Sequence, residues 1–387
     1  MNLKFVAQKM SALFLMLCFS CAAAAQQLPT GWASVRALGM GNAYTAAVDN
    51  SDAMFYNPAA LMRVNGVNWT IMDPRVGIDN PSNAQLISSL SNTQNLASTI
   101  NSLYGNQIWA GGGGMSAITV PNFGIAAYAN SEAGALVGNP PDPQANLNYY
   151  FDYGAALSTS LELIPGIFSI GATARWVDRT GYVGNVGASV LSQSSTAALQ
   201  NLLKSRGSAI GVDFGSLIVL PGPVSPALSF VYRDIGNTTF SHAEGAGAPP
   251  PVASEMIVGA SVAIKVPLIK ITPAIDYRYI GQSGVQLGEN INLGVELSLP
   301  LIDLRGGLSQ GYYTAGVGIN LLGLLRADVA TWAVEMGAYP GQQVDRRYMA
   351  QVTFELSFDP GKFLGGSFRG GSDGSGSSGR SQLFQRR

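Results

Sequence analysis

The sequence has almost no thiol or imidazole side chains. Its two cysteines, Cys18 and Cys21, both lie within residues 1–25, and His242 is the only histidine among 387 residues. Beyond residue 25, disulfides, thiol catalysis and zinc sites built from cysteine or paired histidines are therefore excluded. A serine triad would have one candidate base, His242, in a predicted loop. The sequence argues against an enzyme, a metal centre or a bound cofactor.

Charge is scarce as well. Charged residues make up 12% of the chain, roughly half the usual share of about 25% in soluble domains. The formal net charge is −1, and no basic run precedes the C-terminal tail, so nothing indicates a nucleic-acid partner. Low charge accompanies 47 glycines and a hydrophobic share of 47%. This composition suits a protein that faces lipid on one side and water on the other.

Long uninterrupted apolar runs are absent, which excludes membrane-spanning helices beyond the N-terminus. Residues 1–25 read as a secretory signal peptide: Lys4 and Lys9 precede a short apolar stretch, and Ala22 to Ala25 form a small-residue cleavage site. Cys21 leaves a lipoprotein signal open as an alternative, and cleavage after Ala25 is the interpretation we prefer. The protein is therefore expected to be exported.

Alternation of apolar and polar residues dominates the chain after residue 66. Ile291 to Leu299 and Tyr348 to Phe358 each place apolar side chains on one face and polar or small ones on the other. Such segments of about ten residues suit tilted membrane strands, although a soluble sandwich also alternates. Short connections alternate with long ones, which favours a barrel. The prediction is all-β: a transmembrane antiparallel β-barrel of about 14 strands over 66–358, with the first strand near Val67 to Asp73.

Two segments interrupt this pattern with helical spacing, near 83–104 and 189–204. Both fall in links predicted to lie on the outer side. Leu199, Leu202 and Leu203 of the second segment are candidate contacts for an apolar ligand. Packing of these leucines as a simple cap over the barrel is an equally weighted alternative.

Aromatic residues are expected to mark one membrane interface. Trp176, Tyr277 and Tyr279 end strands that run outward, and Tyr150 and Tyr348 begin strands that return. Charged residues are expected on the inner face. Their mixed signs favour a network of ion pairs that holds the N-terminal segment; a selective ion pore is the less favoured alternative. These charged positions are Arg175, Asp213, Arg233, Asp276, Arg278, Glu296, Arg305, Arg326, Asp328 and Glu355.

The N-terminal segment, residues 26–65, has neither strand alternation nor a sustained helical face. It contains Ala37-Leu38-Gly39-Met40-Gly41 and, further on, Asn57-Pro58-Ala59-Ala60-Leu61. These two motifs and their spacing resemble the N-terminal hatch of the FadL/TodX-like family of outer-membrane transporters. The resemblance implies that residues 26–65 sit inside the lumen of the barrel. It also implies transport roles for Gly39, Gly41, Asn57, Pro58 and Ala59.

The resemblance further implies a function and a location. Members of this family carry hydrophobic small molecules such as long-chain fatty acids passively across the outer membrane of Gram-negative bacteria. The expected partners are outer-membrane lipid and a hydrophobic ligand. The alternative is a non-transporting barrel that binds protein partners, as in the PorV-type, secretion-associated relatives. The Gly/Ser/Arg-rich tail, 359–387, is expected to be disordered; it is either a spacer or a contact for a periplasmic protein.

Overall fold

The computed structural model of the chain describes residues 32–79, 107–137, 144–187, 201–282, 285–321, 323–337 and 341–358. The predicted signal peptide, the predicted helical segment 83–104 and the tail 359–387 lie outside these residues, as does Leu199. Among the described residues, no helix is long and apolar enough to cross a membrane.

Fifteen strand segments form one antiparallel sheet. Each consecutive pair from β2 to β15 is hydrogen-bonded, and β1 pairs with both β15 and β3, so the sheet closes into a barrel. The segments are β1 Val67–Met72, β2 Arg75–Ile78, β3 Gln107–Val120, β4 Phe123–Val137, β5 Gln144–Ile164, β6 Phe168–Gly187, β7 Arg206–Val219, β8 Val224–Arg233, β9 Glu255–Val266, β10 Ile269–Tyr277, β11 Ile291–Ser298, β12 Ile302–Ser309, β13 Tyr312–Leu321, β14 Leu325–Glu335 and β15 Val344–Phe358.

The first two segments are two halves of one strand. Both β1 and β2 lie between β3 and β15 and pair with both. From Thr70 to Arg75 the chain advances five residues, while β3 advances four, from Ala117 to Gly113. This extra residue is a β-bulge, and Pro74 at the break has no N–H to donate. The barrel therefore has 14 strands, as predicted, and the first strand carries a bulge.

The outer surface of the barrel is apolar along most of each strand. Side chains alternate between this surface and the lumen, as the pleat of a strand requires. Large apolar side chains that point outward and stay exposed include Leu157, Leu161, Ile210, Val212, Leu228, Val258, Ile275, Leu304, Val317, Val329 and Val352. In water such a surface would be unfavourable, and in a bilayer it contacts the lipid chains.

Aromatic side chains follow the predicted interface only in part. Trp176, Tyr277 and Tyr348 are exposed on the outer surface, as expected. Tyr150, by contrast, is fully buried, and Tyr279 faces an interior cavity. The expectation was wrong for these two: Tyr150 occupies an inward position of its strand, and Tyr279 lies beyond the end of β10, where alternation no longer fixes the direction of a side chain.

The N-terminal segment fills the lumen from the end with the short turns. It contains two short helices, α1 (Val35–Gly39) and α2 (Ala53–Tyr56), and a 3-10 helix over Pro58–Arg63. Most of its side chains are completely buried, and the backbone N–H of Asn122, in the β3–β4 turn, donates to the carbonyl of Leu61. A further short helix, α3 (Leu287–Asn290), precedes β11 at the opposite end. The described part of the segment, residues 32–65, is called the hatch below.

Candidate functional site

The wall of the barrel approaches the hatch most closely at inward-facing glycines. A Cβ atom added to Gly294 would lie 2.2 Å from the Met40 carbonyl oxygen, and one added to Gly215 would lie 2.2 Å from Asn57 Oδ1. Gly171 meets the backbone of Pro58 and Ala59 in the same way. Any side chain at these positions would push the hatch away from the wall, because the contacting atoms are mostly backbone. The glycine content of the strands therefore has a packing role.

Hydroxyl groups of the wall bind carbonyl groups of the hatch. The hatch has little regular structure, so many of its carbonyls have no partner within the segment. Four wall hydroxyls donate to them at 2.8–3.0 Å: Ser169 to Ala59, Thr173 to Met54, Ser261 to Ala46 and Thr314 to Gly39. These hydrogen bonds fix the position of the hatch without forming a strand ladder.

One wall carboxylate binds the amide groups of the hatch. Asp276 accepts the backbone N–H groups of Tyr44 and Thr45 at 2.9 and 3.0 Å, and also the Thr45 hydroxyl at 2.8 Å. Hydrogen bonds to an ionised acceptor are about twice as strong as neutral ones. Asp276 was expected to belong to a network of ion pairs, and the structure shows that it binds hatch backbone instead.

The two predicted hatch motifs contact different parts of the barrel wall. Asn57 accepts the Ala59 N–H at 3.1 Å with its Oδ1, and its Nδ2 donates to the Thr45 carbonyl at 3.0 Å. Together with Pro58 at the first helical position, this interaction starts the 3-10 helix beside β6 and β7. Gly39 and Gly41 lie instead against β11 to β13. The five predicted residues therefore anchor the hatch at two places rather than forming one site.

Gly41 has a conformation that other residues rarely adopt. Its φ is +63°, and an added Cβ would stand 2.4 Å from the carbonyl oxygen of Leu293. Both the backbone and the space around it therefore require glycine.

A buried ion-pair network joins the hatch to the wall. Arg36 donates to both carboxylate oxygens of Glu296, at 2.7 and 2.6 Å, and to Asp49 at 2.6 Å. Asp49 is also bonded to Lys270 of β10 at 2.9 Å. Burial opposes ionisation of the Asp49 carboxyl, but the charges of Arg36 and Lys270 outweigh it and hold the pKa of Asp49 well below its usual range.

The same network continues along the wall. Arg305, whose side chain is completely buried, binds Glu296 and Asp328 at 2.8 Å each, and Arg326 binds Asp328 at 2.7 Å. Nearer the outer end, Arg175 pairs with Asp213 and Asp234 at 3.0 and 2.9 Å. Arg233 and Arg278 both pair with Glu255. The predicted network of inward ion pairs is thus confirmed for the arginines named from the sequence, and it reaches the hatch through Arg36–Glu296 and Lys270–Asp49.

An aromatic cluster lies behind the bulge of the first strand. Trp32 stacks on Phe55 with ring centroids 5.0 Å apart, and Tyr128 of β4 packs edge-on against Phe55 at 5.2 Å. Tyr128 and Met115 also line a cleft of about 380 Å³ on the lipid side of the bulge. A single layer of side chains therefore separates the apolar core of the hatch from the membrane-facing cleft.

Asp73 closes the wall at this bulge. Its backbone N–H donates to the Met115 carbonyl at 3.1 Å, and its carboxylate accepts the Met115 N–H. Gln351 donates to the same carboxylate at 3.0 Å and accepts the Val35 N–H of the hatch at 3.4 Å. The side chain of Asp73 thus replaces a strand hydrogen bond that the bulge removes.

The described residues include Leu202 and Leu203 of the predicted outer helix but not Leu199. Residues 201–203 are helical, and Leu202 and Leu203 are half-buried near the β8–β9 link, where Ala246 donates to the Asn201 carbonyl. Neither leucine lines the cleft or the interior cavity described below. A ligand-binding role for Leu199, Leu202 and Leu203 stays a prediction.

Similarity in structure to known barrels decides the fold type. Two variants of the TodX monoaromatic hydrocarbon channel match the chain with TM-scores of 0.51 and 0.50, at 12% and 11% identity. Each match covers 84% of this chain and 99% of the channel. The chain has the fold of the FadL/TodX-like barrels. The Pseudomonas putida toluene transporter TodX itself matches at 10% identity over 86% of this chain and 100% of its own, with a TM-score of 0.49. No family model and no curated protein sequence matches the chain.

The apolar outer surface of this fold suits a barrel that lies in a lipid bilayer. Sequence reasoning missed several of the residues that hold its hatch. Arg36 and Trp32 gave no signal, because their partners are remote in the chain. Asp73-Pro74 did give one, since proline inside an alternating segment indicates a bulge or an edge.

Proposed function

We propose that this protein is a passive outer-membrane channel for hydrophobic small molecules such as long-chain fatty acids or small hydrocarbons. The observation that supports this most directly is the lipid-facing cleft at the β1–β2 bulge, with the aromatic cluster of the hatch behind it. Its volume of about 380 Å³ exceeds that of a cavity of roughly 150 Å³ that binds benzene. An apolar molecule released there would enter lipid directly.

Passage requires the hatch to move, because it fills the lumen. The way the hatch is attached favours such movement. The hatch is held by single hydroxyl groups, one carboxylate and a few ion pairs, and it forms no strand of the barrel. In this proposal Asn57, Pro58 and Ala59 form the turn that shifts, and Gly39 and Gly41 allow the hatch to return to close contact with the wall.

A reversible disulfide tests this mechanism. The side-chain oxygens of Ser51 in the hatch and Thr70 in β1 are 3.3 Å apart, and both residues are buried. The double variant Ser51→Cys/Thr70→Cys should therefore form a disulfide, in a chain whose natural cysteines lie only in the predicted signal peptide. In proteoliposomes, oxidation should abolish uptake of a fluorescent fatty acid and of toluene, and reduction should restore it.

The single variants Ser51→Cys and Thr70→Cys serve as matched controls and should transport under both conditions. Undiminished uptake by the oxidised double variant would show that the hatch does not move. No uptake by the unmodified protein would overturn the channel assignment and favour the partner-binding barrel. Co-purification of a stoichiometric protein, lost on removal of residues 359–387, would support that alternative.

A further inference from the structure

A second, smaller cavity lies inside the lumen, between the hatch and the outer halves of β11 to β14. Its volume is about 50 Å³, room for on the order of three or four water-sized groups. Leu38 and Gly41 of the hatch form its floor, and Trp332, Tyr279 and Asn292 contribute to its sides. It is large enough for the polar end of a small ligand and too small for a whole hydrocarbon.

Asn292 is the unusual member of this lining. It points inward from β11 and is only 3% exposed, yet its Oδ1 accepts no hydrogen bond from any described residue. A buried acceptor without a partner is costly, and native proteins usually satisfy it with water or a ligand. Asn292 therefore provides an unfilled acceptor, and its amide nitrogen a donor, in the cavity above the hatch.

The charged groups around this cavity are already engaged. Arg278 is held by a two-pronged ion pair with Glu255, at 2.7 and 2.9 Å. Glu289 accepts the backbone N–H of Gln286 at 3.2 Å as the cap of α3. A ligand carboxylate would lie near Glu289 and would have to compete with Glu255 for Arg278, and a ligand cation would lie near Arg278. The cavity thus disfavours both signs of charge.

We infer that Asn292 recognises the hydroxyl group of a neutral, otherwise apolar ligand, such as an aromatic alcohol. A hydroxyl both donates and accepts, which matches the two ends of the Asn292 amide. The apolar part of the ligand would rest on Trp332 and Tyr279, toward the outer mouth. This inference rests on the proposed channel function and narrows its substrate class.

The test compares three probes of similar size: benzyl alcohol, benzoate and toluene. The full-length protein is placed in lipid nanodiscs, and radiolabelled probes are equilibrated by dialysis against protein-containing and empty discs, so that partition into lipid is subtracted. Benzyl alcohol should bind at least about fivefold more tightly than benzoate or toluene, the gain expected for one neutral hydrogen bond. The variant Asn292→Leu should lose about that factor for benzyl alcohol and none for toluene.

The matched control is Thr272→Val. Thr272 is also 3% exposed, its hydroxyl oxygen also lacks a partner among the described residues, and it lies outside the cavity. This variant should bind all three probes as the unmodified protein does. Heat-dependent migration on gels verifies that each variant is folded.

Two outcomes would overturn the inference alone. In the first, benzoate binds as tightly as benzyl alcohol. In the second, the Asn292→Leu variant keeps its affinity for benzyl alcohol, which is the result expected if the cavity holds only water. In both cases binding of toluene still supports the channel. Failure of all three probes to bind would also overturn the inference, and the channel function would then be decided separately by uptake of the fluorescent fatty acid.

Discussion

At the scale of single residues, Arg36 is the charge that joins the hatch to the wall. Its side chain is 11% exposed and binds Glu296, which is 1% exposed. Losing one partner of a buried pair typically costs about 3–5 kcal/mol, because the other charge remains in a region of low dielectric. Here Arg305 and Lys270 stay beside the two acids, so the cost should be smaller.

Replacing Arg36 by glutamine should therefore loosen the hatch by about 2 kcal/mol, which raises the population of the displaced state by more than tenfold. Ion-conducting openings in planar bilayers should become correspondingly more frequent. Arg346→Gln is the control: Arg346 stacks on Tyr313 at 3.8 Å and donates to its carbonyl at 2.8 Å, without contacting the hatch. Equal conductance of the two variants would contradict the role assigned to Arg36.

Gly41 tests the close approach of hatch and wall. Gly41→Ala adds both the strain of a left-handed backbone, about 1–2 kcal/mol, and a clash with the Leu293 carbonyl. Gly236→Ala adds only the first, since Gly236 has φ of +80° and no atom within 4 Å of an added Cβ. Trypsin should release hatch fragments from Gly41→Ala protein in detergent and leave Gly236→Ala protein intact. If the two variants resist trypsin equally, the hatch accommodates the methyl group that Gly41→Ala adds.

At the scale of elements, the bulged first strand is the weak point of the wall. Its continuity depends on Asp73, whose carboxylate accepts the N–H of Met115 and the amide of Gln351. Strands without such a break satisfy these groups through the ladder itself. The first strand is therefore the element whose opening needs the fewest changes elsewhere in the barrel.

Asp73→Ala should leave the Met115 N–H without a partner and lower the free energy of unfolding by about 1–3 kcal/mol. Asp73→Asn keeps an acceptor oxygen at the same place and should lose less than half as much. Urea titration of folded protein in vesicles, followed by tryptophan fluorescence, measures both variants. An equal loss for Asp73→Asn and Asp73→Ala would show that charge, and not the replaced strand hydrogen bond, stabilises the bulge.

At the scale of the whole molecule, the barrel is stabilised by lipid on its outside and by the hatch on its inside. Val317 lies mid-strand between Leu304 and Val329, and all three point outward. Val344 also points outward, but it begins β15 at the end with the long links. The cost of a charge at each position therefore reports the depth of that position in the membrane.

Val317→Arg should cost about 2–4 kcal/mol of folding free energy in vesicles, and Val344→Arg about 0–1 kcal/mol. Reversible urea unfolding in phospholipid vesicles gives both values. If both substitutions cost the same, the assumed orientation of the barrel across the bilayer is wrong.

Much of this architecture could be predicted because its signals are local. Alternation in Ile291 to Leu299 and Tyr348 to Phe358 follows directly from the pleat of a strand, and the prediction of an all-β barrel was confirmed. The inward charges followed from the same alternation. Tyr150 and Tyr279 were placed wrongly, because a general preference of aromatics for the interface does not say which face a given side chain takes.

The sequence by itself determined the closed barrel, its approximate strand number and the presence of a separate N-terminal segment. Those properties depend on periodicity, on turn residues and on the scarcity of charge, all of which act between neighbours in the chain. Only the tertiary structure decided what holds the segment in the lumen. Arg36 and Glu296 are 260 positions apart, and such a pair is set by which strands surround the hatch rather than by any pattern near either residue.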